Sequence, residues 1–267
     1  MVLRSLHIYP IKSTHRVAQV RATVNPWGLS GDRRWMIVDE HARFLTQREL
    51  PRMALIQAVP YDGSSLLLTA SGHRYQTVSL TGERTDIIKV LVWKDLVPAQ
   101  KAPEEASIWL STFLGRRVNL VYMYDPTLRQ TSTEYTKPGT TVSFADGYPL
   151  LCTTEASLTM LNEKLPTPIP MERFRPNVVV SGGTPFEEDA WQRIRIGEVI
   201  FTVVKPCTRC TITTVDQETA SRGKEPLRTL SSFRKRGSNV YFGENLVPEN
   251  TGIIQTGDVV EVLEFDS

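Results

Sequence analysis

Apolar and β-branched residues recur in short runs along the first hundred positions, and polar or turn-forming residues separate the runs. Turn signals return roughly every 8–12 residues, a spacing typical of small all-β domains. This part of the chain is therefore predicted to consist of short strands. They are expected at residues 2–9, 17–24, within 31–39, and at 55–59, 65–69, 75–80 and 87–93, with 44–46 as the hairpin partner of the third.

The spacing of apolar positions changes near Pro103. Residues 104–114 carry apolar side chains near helical spacing, begin with two glutamates and precede Gly115. Acidic residues in the first turn and glycine after the last turn favour a helix. The polar segment 125–139 is instead typical of a loop, either a link between domains or a lid over an active site.

The second half returns to strands, with Thr154 suited to the N-cap of another short helix. The chain is therefore predicted to be mainly β, of the α+β class, with a β-rich domain at 1–120 and a second domain at 121–267. The second domain is expected to end in a closed or nearly closed barrel with a few short helices. The elements predicted after residue 115 are strands at 118–122, 150–152, 178–180, 193–196 and 199–204, a helix at 227–233, a strand or bend at 242–246 and a closing hairpin at 253–262.

Composition narrows the classes of function. The 267 residues include 31 Lys and Arg against 29 Asp and Glu, so a net charge of +2 gives no general attraction to nucleic acid or membrane. No apolar stretch approaches the ~20 residues of a spanning helix, and the amino-terminal residues lack the apolar run of a signal peptide. Three cysteines do not form a secreted disulfide framework, so a cytoplasmic location is expected.

Two of the three cysteines, Cys207 and Cys210, share a Cys-x-x-Cys motif within residues 205–216. Pro206 is expected to end the preceding strand, because proline has no N–H to donate. Threonines and branched apolar residues after Cys210 predict that an extended segment resumes. Lys205 and Arg209 flank the resulting loop, and nearby cations favour the thiolate.

Four interpretations of this pair stay open. Zinc needs about four ligands, but the third cysteine, Cys152, lies in an apolar run typical of a core, and all four histidines lie in the amino-terminal half. A thioredoxin-type dithiol belongs at a helix N-terminus, whereas these flanks are strand-like. A single thiolate could hold a transition metal while basic residues bind the rest of a phosphorylated cofactor. Two reduced, partly buried structural thiols remain the default.

Basic residues near strand ends supply candidates for anion binding. Lys12 and Ser13 follow Pro10 and offer an ammonium and a hydroxyl, although an exposed turn fits equally well. Arg33 and Arg34 stand at the mouth of a strand and could bind a phosphate. Ion pairs with Asp32 and Glu49 are the favoured interpretation of these arginines from local sequence.

Several short motifs, in this order, resemble the MOSC family, named for the carboxy-terminal domain of molybdenum cofactor sulfurase. More closely, the chain is similar to bacterial relatives of the mitochondrial amidoxime-reducing component, over nearly its whole length. The motifs are Tyr-Pro-Ile-Lys-Ser at 9–13, Gly-Asp-Arg at 31–33, Ser-Phe-Ala-Asp-Gly-Tyr-Pro at 143–149, Thr-Glu-Ala-Ser-Leu at 154–158, Phe-Arg-Pro-Asn at 174–177, and Cys-Thr-Arg-Cys at 207–210 with Thr-Thr-Val-Asp just beyond.

The resemblance implies an amino-terminal β-rich MOSC-associated domain followed by a MOSC barrel that binds a molybdenum cofactor (Mo-molybdopterin). It implies that Cys210 is the metal ligand and a catalytic residue, supported by Cys207. Asp216 is a candidate proton donor, with a structural role at a strand end favoured for it. The residues expected to contact or line the cofactor pocket are Lys12, Ser13, Arg33, Asp146, Gly147, Tyr148, Arg175, Asn177, Cys207 and Arg209.

The reaction that the resemblance implies is reductive cleavage of the N–O bond of small N-hydroxylated compounds. Many bacterial relatives carry a carboxy-terminal iron–sulfur domain, but no cysteine follows Cys210 here. Electrons are therefore expected from a separate donor, a ferredoxin-like protein with a flavin reductase or a cytochrome. The alternative function is a carrier that binds molybdenum cofactor, or a sulfur atom on Cys207 or Cys210, without turnover.

Overall fold

Short strands form most of the regular structure, as the sequence pattern predicted. The computed structural model describes residues 1–62, 65–80 and 86–266. The strands are β1 Val2–Ile8, β2 Val17–Gln19, β3 Arg21–Asn25, β4 Gly28–Leu29, β5 Trp35–Val38, β6 Gln57–Asp62, β7 Ser65–Thr69, β8 Gln76–Ser79, β9 Ile87–Val92, β10 Asp95–Lys101, β11 Asn119–Tyr122, β12 Leu150–Thr154, β13 Val178–Ser181, β14 Trp191–Ile196, β15 Val199–Thr208, β16 Lys235–Arg236, β17 Asn239–Pro248, β18 Gly252–Gln255 and β19 Val260–Phe265.

Helices are few and short. The α-helices are α1 Glu104–Leu114, α2 Glu155–Lys164 and α3 Leu227–Phe233, and 3-10 helices cover Pro51–Leu55, Pro126–Leu128, Met171–Phe174, Glu187–Ala190 and Thr211–Thr214. Gly115 ends α1 in the left-handed conformation, with φ of 67°, which glycine adopts without the steric cost of a Cβ. Thr154 caps α2 by accepting a hydrogen bond from the Ser157 N–H. Both predicted helix boundaries are therefore confirmed.

The largest sheet joins the two ends of the chain. Its strand order is β19-β14-β15-β17-β12-β13-β1-β2, with β16 paired to β17. The Leu3 N–H donates to the Asp258 carbonyl at 2.8 Å, and the Val260 N–H donates to the Met1 carbonyl at 2.9 Å. These bonds tie β1 to the segment that leads into β19 and so close the sheet towards a barrel. Within the described residues, three smaller sheets have the orders β5-β11-β10-β9, β18-β3-β4 and β6-β7-β8.

This connectivity places the amino-terminal strands inside the sheet of the second half. Strand β1 pairs antiparallel with β13, and β3 pairs antiparallel with β18. Buried apolar residues from both ends share one core around Leu6, Val178 and Phe201. The division at 120/121 stays a prediction, but backbone hydrogen bonds cross it from the first residues of the chain.

Two predictions about these strands are wrong, one about a strand's length and one about a hairpin. Residues 17–24 form two strands rather than one, because Val17–Gln19 pairs with β1 while Arg21–Asn25 pairs with β18. Residues 253–262 do not form a hairpin, since β18 pairs with β3 and β19 pairs with β14. Alternation of apolar side chains indicates a strand and its buried face, but it does not encode which strand lies next to it.

The path around the cysteine motif also differs from the prediction. Strand β15 continues through Pro206 to Thr208, and its register with β17 shifts between Val203 and Lys205 and again between Pro206 and Thr208. A proline is tolerated here because the ladder is already interrupted by these irregularities. After Cys210 the chain enters the 3-10 helix Thr211–Thr214 instead of an extended segment. The sequence reading also missed β10, which pairs with β9.

Glu244 is a buried acid in the middle of β17, next to the strand that carries Cys207. Its side chain is 2% exposed, and Oε1 has no hydrogen-bond partner among the described residues. Burial, with smaller contributions from Asp189 and Glu188, raises the pKa of Glu244 to about 9. The folded protein therefore keeps this carboxyl protonated at neutral pH.

Glu244 is expected to make the free energy of unfolding fall as pH rises from about pH 6 to pH 8. The unfolded chain has released this proton above its ordinary pKa of 4.5, whereas the folded chain holds it up to about 9, so each pH unit in this window favours unfolding by about 1 kcal/mol. Urea unfolding at pH 6, 7 and 8 should show a flatter slope for Glu244→Gln. Glu249→Gln on the same sheet is the control, because the pKa of Glu249 is lowered and this carboxyl is ionised throughout. Equal slopes for wild type and Glu244→Gln would contradict the prediction.

Candidate functional site

A single cavity gathers residues from distant parts of the sequence. It is open to solvent on one side, and the strand ends of β1 and β15 and the turn before β12 form its walls. Of the predicted site residues, all except Asp216 line it: Lys12, Ser13, Arg33, Asp146, Gly147, Tyr148, Arg175, Asn177, Cys207, Arg209 and Cys210. Their placement together is a structural finding, and the role of each stays a prediction.

Lys12 is a buried cation at the base of the cavity. Its side chain is 5% exposed, and Nζ donates to the Phe144 carbonyl at 2.8 Å and to Asp146 Oδ1 at 2.5 Å. Burial lowers the pKa of Lys12 to about 8, although Asp146 opposes that effect. An ammonium carries three donors, so one more N–H is available for an anion beyond these two bonds.

Asp146 is held as a carboxylate at the cavity edge. Desolvation in the cavity would raise its pKa, but Lys12, Arg48 and Arg33 outweigh that effect and hold the pKa well below its ordinary range. Asp146 therefore balances one of the cations at the site and fixes the position of the Lys12 ammonium.

Arg33 forms an ion pair and also lines the cavity, so it fits both interpretations drawn from the sequence, an ion pair and an anion-binding residue. Its Nη1 donates to Asp32 Oδ2 at 2.6 Å and to Asn177 Oδ1 at 2.8 Å, and its side chain also lines the cavity. The ion pair with Asp32 is confirmed, and it orients the guanidinium instead of removing it from the site. Asn177 in turn donates to the His7 carbonyl at 3.1 Å, which ties the arginine to β1.

Arg175 and Arg33 enclose the ring of Tyr9. Their guanidinium carbons lie 4.2 Å and 4.4 Å from its centroid, and the hydroxyl of Tyr9 donates to the Pro176 carbonyl at 3.1 Å. Arg175 also donates from Nη1 to the Thr14 carbonyl at 2.7 Å. Burial lowers the pKa of Arg175 to about 10, which leaves it charged at neutral pH. Two cations are thus held at fixed positions on a rigid aromatic ring.

The backbone at this site is strained. Ser13, Arg33 and Arg175 have φ angles of 67°, 45° and 59°, in the left-handed region that non-glycine residues rarely adopt. Each such residue costs on the order of 1 kcal/mol or more and persists only where the surrounding structure fixes it. Three left-handed residues on one cavity indicate that the surrounding structure holds these side chains in position at a cost in stability.

The two cysteines have different surroundings. Cys207 is half-buried; burial raises the pKa of its thiol, and Arg209, whose Nη1 lies 2.8 Å from Sγ, opposes the rise without cancelling it. Cys210 is exposed to the cavity, and Arg48 Nη1 lies 3.6 Å from its Sγ. The ammonium of Lys205, the other cation that flanks the pair in sequence, lies over the Tyr135 ring, 4.3 Å from the centroid.

Asp216 does not line this cavity. Its Oδ1 accepts hydrogen bonds from the N–H groups of Glu218 and Thr219, and Oδ2 lies 3.6 Å from Arg173 Nη1. Partial burial would raise its pKa, but these hydrogen bonds and Arg173 hold the pKa below the ordinary value. An ionised carboxylate that holds a turn matches the structural role favoured for it, and the proton-donor role stays a prediction. Cys152, also as expected, is a fully buried core residue.

The sequence reading missed Arg48 and Trp93 at the cavity mouth. The Arg48 guanidinium lies 4.9 Å from the Trp93 ring centroid, and Trp93 Nε1 donates to Asp146 Oδ1 at 3.3 Å. Neither residue belongs to a recognisable motif, because Arg48 lies in a polar loop and Trp93 in a hairpin turn. The φ of 56° at Trp93 is visible only in the structure.

Comparison with known families identifies both halves of the chain. A model of the MOSC N-terminal beta barrel domain matches residues 1–117, and a model of the MOSC domain matches residues 139–261. The chain belongs to the MOSC family. This confirms the resemblance drawn from the short motifs, and it agrees with the strand-rich fold.

Relatives of this MOSC protein match over nearly its whole length. It is 32% identical to mitochondrial amidoxime-reducing component 1 of Homo sapiens in an alignment of 276 positions, gaps included, which covers 97% of this chain and 82% of that protein. The corresponding protein of Danio rerio is 31% identical over 99% of this chain and 85% of its own length. Molybdenum cofactor sulfurase of Homo sapiens is 32% identical over 93% of this chain, but over only 30% of its own length. None of the helices within the described ranges is long and apolar enough to cross a membrane.

Proposed function

We propose that this MOSC protein binds a molybdenum cofactor and reduces N-hydroxylated compounds with electrons from a separate redox protein. The observation that carries the proposal is the cavity itself. A solvent-facing sulfur, that of Cys210, shares it with the buried cations Lys12, Arg33 and Arg175, in a chain similar to amidoxime-reducing components over 97% of its length.

The donor groups of the cavity fit such a cofactor. Thiolate sulfur is a soft ligand suited to a transition metal, and fixed ammonium and guanidinium groups suit a phosphate. Arg209 Nε is buried, and no hydrogen-bond partner for it lies within the described ranges, as expected for a donor that awaits a ligand. Cys210 would hold the metal, and Lys12, Arg33 and Arg175 would neutralise and orient the phosphorylated part.

The proposed reaction converts R–NH–OH, two electrons and two protons into R–NH₂ and water. When bound, the cofactor supplies two-electron redox chemistry at its metal. The chain contributes position and charge: Arg48 next to Cys210 can donate hydrogen bonds to the substrate oxygen, and the strained Ser13, Arg33 and Arg175 hold the cavity in one geometry. Electrons would come from a ferredoxin-like protein with a flavin reductase, or from a cytochrome.

The test is expression in a host that makes molybdenum cofactor, followed by measurement of molybdenum and pterin per chain. Reduction of benzamidoxime with a reduced viologen is then assayed on the same preparation. We expect molybdenum and pterin near one per chain, and formation of benzamidine that depends on both. A chain without either, purified from such a host, would overturn the proposal.

A carrier function is the second candidate. It is favoured by the similarity to molybdenum cofactor sulfurase over 93% of this chain and 30% of that protein, because that protein's name describes action on the cofactor and not reduction of a substrate. Bound molybdenum and pterin without reduction of any N-hydroxylated compound would support the carrier and exclude the reductase.

A further inference from the structure

A second cleft opens beside the cofactor cavity. We call it the aromatic cleft and define it by Phe44, Trp93, Lys94, Thr131 and Tyr148. Its volume of about 630 Å³ lies within the range of small-molecule sites. The cleft and the cavity share the turn Asp146–Tyr148 as a common edge, so the two spaces are adjacent.

The walls of the aromatic cleft are fixed in place. The rings of Phe44 and Trp93 lie 5.1 Å apart between centroids, tilted by 53°. The indole N–H of Trp93 is anchored on Asp146, yet its side chain stays 48% exposed. A large aromatic residue that is exposed, anchored and strained at φ 56° resembles a prepared contact surface more than a core residue.

Two short contacts connect this cleft with the cysteine sulfur. Arg48 Cζ lies 4.9 Å from the Trp93 ring centroid and Arg48 Nη1 lies 3.6 Å from Cys210 Sγ, so one guanidinium contacts both the indole and the sulfur. A substrate with its N–O group next to Cys210 would place its carbon skeleton against Trp93.

The charges at the cleft disfavour a cationic ligand. The two acids at its lining are already engaged with cations, Asp95 with Arg129 at 3.0 Å and Asp146 with Lys12 at 2.5 Å. Arg48 and Lys94 add positive charge at the mouth and on the wall. A cationic head group would be repelled there, whereas a neutral oxygen can accept hydrogen bonds from the guanidinium.

We propose that the aromatic cleft binds the ring of the substrate, and that this protein selects neutral aromatic N-hydroxylated compounds over short aliphatic ones and over cationic ones. The inference rests on the proposed function, because it assigns a substrate class to the same site. Trp93 is the specificity residue, and Arg48 is the group that joins the cleft to the reacting end.

The first test compares benzamidoxime with acetamidoxime in wild-type holoenzyme, Trp93→Ala and Trp93→Phe, with a reduced viologen as donor. We expect Trp93→Ala to raise the ratio of the KM for benzamidoxime to the KM for acetamidoxime about tenfold, and to change the corresponding ratio of kcat values less than twofold. A ring that binds equally in the ground state and the transition state changes KM and not kcat. Trp93→Phe should keep at least half of the discrimination, since an aromatic face remains. A KM ratio unchanged in Trp93→Ala would overturn the inference.

The second test measures binding without turnover. Calorimetric titration of the holoenzyme with benzamide, a neutral compound that has no N–O bond to reduce, is expected to show binding about tenfold weaker in Trp93→Ala. The isosteric cation benzamidine should bind wild type at least fivefold more weakly than benzamide. Tighter binding of benzamidine would overturn the charge selectivity.

Tyr75→Ala is the matched control, because Tyr75 is also an exposed aromatic residue, at 70% exposure, and it lies outside both the cavity and the cleft. It should leave the KM ratio and the benzamide affinity unchanged.

The proposed function and the proposed role of the aromatic cleft would be contradicted by different results. Holoenzyme that reduces both amidoximes with no dependence on Trp93 refutes the cleft alone, whereas a chain without molybdenum or activity on either compound refutes the proposed function.

Discussion

Replacing Cys210 with serine is expected to lower benzamidoxime reduction by more than about 100-fold. Removing even a residue that lies beyond the ligand shell of a metal lowers metal affinity or activity 10- to 100-fold. Cys210 is the proposed ligand itself, so a larger loss is expected. The free energy of unfolding should change by less than about 0.5 kcal/mol, because the Cys210 side chain is exposed and makes no core contact. Steady-state rates and urea unfolding curves of the same preparations measure both effects.

Cys207→Ser is the matched control for this experiment. Cys207 lies on the same cavity and contacts Arg209, but its sulfur is not the proposed ligand. We expect it to retain molybdenum and to lose less than about tenfold in rate. Wild-type turnover by Cys210→Ser with bound cofactor would show that the metal is held without this sulfur. A larger loss in Cys207→Ser than in Cys210→Ser would reverse the assignment of the two cysteines.

Replacing Arg175 with lysine is expected to lower the molybdenum and pterin that remain bound after purification by about 10- to 100-fold. Lysine keeps the charge but loses the planar set of donors, and one hydrogen bond to a charged group is worth about 1.5–3 kcal/mol. The ammonium of lysine also cannot reproduce the fixed contact of the guanidinium with the Tyr9 ring. Metal and pterin analysis after gel filtration measures the effect.

Arg173→Lys separates cofactor binding from folding in this comparison. Arg173 is also buried, two residues away in sequence, and donates to the carbonyls of Thr213 and Glu225, outside the cavity. Both variants lose guanidinium bonds to backbone carbonyls, so their thermal unfolding temperatures should fall by similar amounts. Only Arg175→Lys should lose cofactor. Equal retention in the two variants would show that Arg175 supports the fold and not the cofactor.

Sequence reasoning predicted the positions of the helices and strands better than it predicted which strands pair with one another. Helix α1 and the N-cap of α2 follow from local rules, because acidic first turns, glycine ends and threonine caps act within a few residues. The split of 17–24 and the separation of β18 from β19 depend on pairing between the two ends of the chain. No local pattern specifies such contacts, since their formation depends on the whole sheet.

The candidate site shows the same limit. Lys12, Arg175 and Cys210 were selected from motifs and from the resemblance that those motifs carry, and the fold brings all three to one cavity. Arg48 and Trp93 escaped selection because their importance arises from contacts with Cys210 and Asp146, which lie far from them in sequence. Asp216 was selected by its position after the cysteine motif, but the turn at 216–219 keeps its carboxylate away from the cavity.

The sequence by itself determined the strand-rich character, the buried faces, the helix ends and the chemical groups of the site, because these depend on side-chain type and short-range spacing. Tertiary structure decided which strands are neighbours, how Asn177 and Tyr9 orient the arginines, and which of the two cysteine sulfurs is exposed. The physical reason is distance along the chain: hydrogen bonds and ion pairs that join residues more than a hundred positions apart exist only once the sheet has closed.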